Sequence, residues 1–118
     1  MLTFLVTMLP KVIQPFRVIV FEEDDWLCAH ILEYDMAAQA KSMEELRLEI
    51  ERLVACHIAA ALENGREPFV GLRPAPEKYW EMFRRAKVPL PSQRFTVEVT
   101  PPVTVDAPEI RVATAAAA

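Results

Sequence analysis

The first clear pattern along the chain is a pair of apolar runs separated by a short charged break. Residues 16–21 are β-branched or aromatic at nearly every position, which is typical of a strand that is covered on both faces. A second run from Trp26 to Leu32 follows the break at once, so the pattern predicts an antiparallel hairpin. The break consists of four acids that are too charged to be buried. They are Glu22, Glu23, Asp24 and Asp25.

The apolar spacing then changes from that of strands to that of a helix. Residues 36–40 are small and predict a short third strand. Ser42 and Glu45 have the S-x-x-E spacing of a capping box, in which each side chain accepts the backbone amide of the other residue. Apolar positions recur every three or four residues as far as Gly65, which favours a left-handed stop. The pattern therefore predicts a helix over 42–63.

The remaining sequence predicts a second, shorter helix and one further strand. An aromatic stripe through Tyr79, Trp80 and Phe83, preceded by Pro76, predicts a helix over 76–87 that docks through its aromatic side chains. Five of the ten prolines lie beyond it, and the alternation at 95–99 predicts one strand among them. For the Ala-rich tail we expect disorder.

Together these elements predict an α+β fold, in which the long helix packs on an antiparallel sheet of three or four strands. We divide the chain into an N-terminal extension or leading strand over 1–14, an α+β domain over 15–88 and a Pro-rich C-terminal extension over 89–118. Residues 1–7 are either a leading strand or lie upstream of a start at Met8. The apolar N-terminal run is about ten residues long and no basic residue precedes it, so we expect neither a membrane span nor a signal peptide.

The composition narrows the classes of function. The 118-residue chain has a formal net charge of −4, which argues against a general nucleic-acid binder and suits a basic protein partner. Only two cysteines are present, in different predicted elements, so we expect a reducing, cytoplasmic compartment. With two glycines in all, the chain has no Gly-rich loop that would cradle a phosphate.

No group of reactive side chains in the sequence has the spacing of a catalytic or metal site. The four acids of the turn are consecutive, whereas a two-metal nuclease needs carboxylates that converge. Cys28 with His30, and Cys56 with His57, lack the spacings of zinc knuckles, and no orienting acid supports a Cys/His nucleophile. We therefore expect no catalysis, no metal and no cofactor, with His57 beside the core and Cys56 a small buried residue.

The basic residues near position 85 have two readings. Arg84, Arg85 and Lys87 could form a nucleic-acid patch with the neighbouring aromatic residues. Cations at the C-terminal end of a helix more often complement the helix dipole and keep the surface soluble. The second reading is the simpler one.

Residues 16–63 resemble the HicB-type antitoxin domain, the partner of the RNA-cleaving HicA-type toxin. The resemblance rests on the strand and acidic turn FRVIVFEEDD, the strand WLCAHILE, the segment AAQAK and the helix capped by Ser42. A weaker match continues through GREPFVGLRPAP to Pro76. The resemblance implies a partial RNase H fold without catalytic carboxylates, and a protein that neutralises a small basic toxin by covering its active site.

The chain departs from that family at three places. Glu33-Tyr34-Asp35 stands where the family usually has a Pro-Gly turn, and Ala40 stands where it usually has glycine. After Gly65, one helix followed by a strand fits neither a ribbon-helix-helix nor a helix-turn-helix module, so we expect no specific DNA binding.

We therefore expect a non-catalytic protein-binding domain that forms a homo-oligomer, with the acidic turn as its partner-binding surface. The alternatives are a stand-alone dimeric scaffold and, ranked last, a degenerate RNase H-like nuclease.

Overall fold

The computed structural model describes residues 11–113, and these residues form two helices and eight strands. The helices are α1 (Met43–Glu63) and α2 (Glu77–Arg85). The strands are β1 (Lys11–Ile13), β2 (Arg17–Glu23), β3 (Trp26–Ile31), β4 (Met36–Ala40), β5 (Val88–Leu90), β6 (Phe95–Val97), β7 (Val103–Val105) and β8 (Glu109–Val112). The expectations about residues 1–10, the start at Met8 and the Ala-rich tail lie outside the described residues. Neither helix is long and apolar enough to cross a bilayer.

The strands form two sheets, with the orders β4-β3-β2-β8-β5 and β1-β7-β6. β2, β3 and β4 pair antiparallel, as the sequence predicts. β8, however, lies parallel to β2 and carries β5 on its other side. The α+β class is confirmed, but the expectation of three or four antiparallel strands is wrong, because a strand from the end of the chain inserts beside β2.

The C-terminal segment runs alongside the N-terminal strands in one register. Lys11 lies opposite Val103, and Val20 lies opposite Val112 with the same offset along the chain. Between the two paired stretches, the amides of Asp106 and Glu109 donate to the carbonyls of Ile13 and Phe16. The expectation of one strand after α2 is therefore wrong: residues 88–112 form four strands, each only three or four residues long.

A helix packs on each face of the five-stranded sheet. α1 packs on the face that carries Val18, Val20, Ala29 and Ile31. The small sheet contributes to the same core, whose fully or almost fully buried members include Leu46, Val54, Ile58, Val103 and Val105. α2 packs on the opposite face, over a smaller cluster of Ile19, Leu32, Ala75, Phe83 and Ala86.

Both ends of α1 are closed by residues that the sequence singles out. The Ser42 hydroxyl accepts the Glu45 amide at 3.2 Å, which is one of the two hydrogen bonds of a capping box. At the other end Gly65 has a φ of +66°, its amide donates to the Leu62 carbonyl, and the Arg66 amide donates to the Ala61 carbonyl. These two bonds form a Schellman motif, which needs a left-handed residue at the position of Gly65.

Candidate functional site

The α2 face of the five-stranded sheet is only partly covered. Cross-strand pairing places Ile19, His30 and Ala37 in one row, and Phe21, Cys28 and Gln39 in the next row toward the acidic turn. Tyr79 of α2 lies over the rows, while the second row forms the floor of an open groove of about 330 Å³. One end of the groove is lined by Glu23 of the acidic turn.

His30 is the polar centre of the covered part of this face. It is a buried residue, its Nε2 lies 2.6 Å from Asp35 Oδ1, and its ring stacks on Tyr79 with the centroids 3.9 Å apart. Asp35 has a φ of +54°, a left-handed conformation that Asp and Asn tolerate better than most side chains do. The sequence places Cys28 and His30 on one strand face. It does not show that the 32–35 turn returns a carboxylate to His30.

Cys28 has neither the protonation state nor the partner of a catalytic nucleophile. Burial, followed by the charges of Glu23 and Asp24, raises the pKa of its thiol, so the reactive thiolate is disfavoured. His30, two residues along the strand, is instead held by Asp35 and Tyr79.

The other Cys/His pair belongs to α1 and therefore lies across the sheet from Cys28. The His57 Nε2 accepts the Phe69 amide at 2.9 Å, and its ring stacks on Phe69. Burial lowers the pKa of His57, in agreement with this acceptor role, which requires a neutral ring. The expectation of a small buried Cys56 is wrong, because this side chain lies on an exposed position of α1. Residues 11–113 contain no group of three or more His, Cys, Asp or Glu side chains arranged to hold a metal ion.

The acidic turn closes the β2–β3 hairpin: Glu22 and Glu23 end β2, and Asp24 and Asp25 form a two-residue loop between Glu23 and Trp26, which lie opposite each other. Asp24 and Asp25 both have positive φ, +51° and +66°, as the tight type I′ turn requires. All four acids are exposed, and within the described part of the chain no basic side chain forms an ion pair with any of them.

A large aromatic side chain borders the acidic turn. Trp26 is 36% exposed, and the Lys41 Nζ lies 4.0 Å from its ring centroid. The same ammonium group approaches the carbonyl oxygen of Asp25 at 3.4 Å. The turn, Trp26 and the groove together form one continuous area, which we call the hairpin surface: Glu22–Asp25, Trp26, Phe21, Cys28 and Gln39.

The basic residues of α2 are largely neutralised on their own helix. Arg84 pairs with Glu77 and Glu81, and Arg85 Nε lies 3.5 Å from Glu81. Hydrogen bonds and charge from Arg84 hold the pKa of Glu81 below its usual value. These pairs favour the reading of the basic cluster as part of a solvated helix surface over a nucleic-acid patch.

Comparison with known proteins returns no match: no family model covers the chain, and no curated protein or solved structure is significantly similar to it.

Proposed function

We propose that this chain is a non-catalytic protein-binding domain that captures a small basic protein through the hairpin surface, as the resemblance to HicB-type antitoxins implies. The observation that carries the proposal is the acidic turn. Four exposed acids without a basic partner in the described chain border an open groove and an exposed tryptophan. Exposed charges, an open groove and an exposed tryptophan add little to the stability of the fold, whereas each can contact a bound protein.

The backbone of the turn shows why folding alone does not account for the acids. Type I′ turns favour Asn-Gly and Asp-Gly, since Asn and Asp tolerate the left-handed conformation better than most side chains do and glycine adopts it without strain. Asp24 and Asp25 both adopt it, and their charges also repel each other and those of Glu22 and Glu23. Strain at a turn that a neutral pair would close more easily supports a role for the charges in recognition.

The two parts of the hairpin surface would serve different steps of binding. A negative patch attracts a positive partner over several ångströms and mainly raises the association rate. Trp26 and the groove floor would then hold the docked partner, because tryptophan is enriched among the residues that dominate binding energy. The groove would accept one or two side chains of the partner.

The decisive experiment measures binding to a small basic RNA-cleaving protein of the HicA type. We would co-express both proteins, isolate the complex by size-exclusion chromatography with light scattering, and measure association rates at low and high salt. The test variant is Glu22→Gln, Glu23→Gln, Asp25→Asn. Its matched control is Glu44→Gln, Glu63→Gln, Glu98→Gln, which removes the same charge from exposed positions outside the turn.

We expect the test variant to associate at least about tenfold more slowly at low salt, with a difference that shrinks as salt rises. If the association rate falls equally in the two variants, the effect comes from net charge alone and the proposed role of the turn is wrong. A chain that retains no basic partner at all would overturn the proposal itself.

The geometry gives little support to the nuclease alternative. Asp24 precedes β3 and Asp35 follows it, so the six residues of that strand keep the two carboxylates roughly 20 Å apart. Two-metal sites need their ligands around ions about 4 Å apart. We expect no magnesium- or manganese-dependent cleavage of RNA or DNA. Cleavage that disappears in Asp24→Asn or Asp35→Asn would restore the nuclease.

A further inference from the structure

We infer that two copies of this chain pair through strand β4, antiparallel and in register about Ala38, so that the two five-stranded sheets join into one. Within residues 11–113, β4 forms one edge of its sheet and pairs only with β3. A free edge offers a row of unpaired backbone donors and acceptors to another strand.

The two edges of the sheet differ in how well they are protected. β5, at the opposite edge, is three residues long and contains Pro89, which lacks an amide proton and blocks strand addition. β4 is five residues long, MAAQA, with no proline and no charge. Its small side chains leave the backbone accessible to a second strand.

A two-fold axis perpendicular to the sheet limits the possible registers. Such an axis places residues of the same face opposite each other. The pairing is therefore centred on one residue, which lies opposite its own copy, and not on the midpoint between two consecutive residues. Centring it on Ala38 uses all five residues of β4, with Met36 opposite Ala40 of the second copy and Ala37 opposite Gln39. Centring it on Ala37 or Gln39 would pair only three residues of β4, and centring it on Met36 or Ala40 only one.

The charges that flank β4 complement each other at both ends of the strand in this register. With the axis at Ala38, Asp35 of each copy faces Lys41 of the other. Both side chains lie on the α2 face, since Asp35 contacts His30 and Lys41 lies over Trp26. Two opposite-charge pairs, one at each end of the joined strands, would therefore favour this register, whereas centring on Ala37 would place Asp35 opposite Gln39 and centring on Gln39 would place Lys41 opposite Ala37.

Self-pairing through β4 is separate from the capture of a basic partner. It uses backbone groups of the edge and leaves Glu22–Asp25 unpaired. Because the two-fold axis keeps corresponding faces on one side, both hairpin surfaces would lie on the same face of the joined sheet. A dimer would thus present two acidic turns to its partners.

The first test is the oligomeric state of the full chain, measured by sedimentation equilibrium and light scattering. We expect a dimer. Ala37→Glu with Gln39→Glu places like charges directly opposite each other across the axis, and we expect it to raise the dimer dissociation constant by about tenfold or more. Ala37→Lys with Gln39→Lys should do the same.

Mixing the acidic and the basic variant makes the test specific. The opposite charges then face each other, so a mixed dimer should form that is tighter than either variant's own dimer. Thermal unfolding of both variants, followed by circular dichroism, separates loss of pairing from loss of folding. A strict monomer, or a dimer that neither variant weakens and whose mixture shows no preference, would overturn the inference.

A cross-linking experiment tests the register. In a background of Cys28→Ala and Cys56→Ser, we would introduce Ala37→Cys together with Gln39→Cys and oxidise the protein. Directly opposite residues of paired strands have Cα atoms 4.5–5.5 Å apart, within the range of a disulfide. The double variant should form a covalent dimer much faster than either single variant. Equal rates in all three would exclude pairing centred on Ala38.

The outcomes distinguish this inference from the proposed function. If the β4 variants are monomeric, β4 is confirmed as the dimer edge, and the capture proposal is judged separately on the acidic-turn variant, because Ala37 and Gln39 also line the groove. If wild-type protein is monomeric and binds the partner, only the inference about β4 fails.

Discussion

The two faces of the five-stranded sheet are built from the same strands but have different structural roles. The α1 face packs against a 21-residue helix and against the small sheet, and its central side chains are almost completely buried. The α2 face packs against a nine-residue helix, and the row of Phe21, Cys28 and Gln39 stays open to a groove. The sheet therefore has one face that is almost completely buried and another on which part of the surface stays open.

The difference follows from the lengths and positions of the helices. α1 begins shortly after β4 and contacts β4, β3 and β6. α2 contacts β2 and is held at its C-terminal end by Arg111 of β8, whose Nη1 donates to the Phe83 carbonyl at 3.1 Å. α2 is therefore fixed toward the β8 side, and the hairpin end of the face remains uncovered.

The largest effect is expected from a substitution in the α1 face, which we expect to contribute most of the stability of the fold. Leu46→Ala should lower the free energy of unfolding by about 2–5 kcal/mol, because Leu46 is fully buried and its truncation leaves a cavity. Leu48→Ala is the matched control on the same helix, since Leu48 is 49% exposed, and it should cost less than about 1 kcal/mol. Urea unfolding measures both. Similar losses of unfolding free energy in the two variants would mean that the buried positions of α1 do not anchor the helix to the sheet.

A smaller effect is expected at the start of α1. Ser42→Ala should cost about 1 kcal/mol, because it removes the acceptor of the Glu45 amide. Ser42→Asp, which keeps an acceptor at the N-cap, should retain most of the stability. An unchanged urea midpoint and slope in Ser42→Ala would show that this cap contributes nothing to the fold.

On the α2 side, a substitution that improves folding should harm recognition. Asp25→Gly should raise the free energy of unfolding by up to about 1 kcal/mol, because glycine adopts a φ of +66° without strain and a like charge disappears. Asp25→Ala, which keeps the strain, is the control and should not be stabilised to the same extent. If glycine destabilises the protein, the acids belong to the fold and the contrast between the two faces weakens.

The smallest expected effect concerns pH and the α1 side. The pKa of His57 is lowered in the folded state, so the unfolded chain binds a proton first as the pH falls. The stability that neutral His57 contributes is thus present above its unfolded pKa of about 6.5 and is lost progressively as the pH falls from there toward the folded pKa. Unfolding free energies between about pH 8 and 5 should show this loss in wild type, and His57→Asn should lack this component. Identical pH profiles would remove His57 as its source.

Local interactions explain which parts of the fold the sequence predicts well. The β2–β3 hairpin, strand β4 and both ends of α1 depend on residues close together in sequence: the acidic turn, Ser42 with Glu45, and Gly65. The position of Cys28 and His30 on one face follows from the period of a strand. These features are set by backbone preferences and side-chain periodicity, which the sequence carries directly.

Only the tertiary structure decides where the C-terminal strands lie. β8 has four residues and little alternation, so nothing local predicts that it inserts beside β2, where it pairs with residues more than ninety positions earlier. The same holds for Asp35 on His30 and for Phe69 on His57, which depend on how turns return to the sheet. Short strands gain their stability from distant partners and from burial, and these contributions become visible only once the whole chain is assembled.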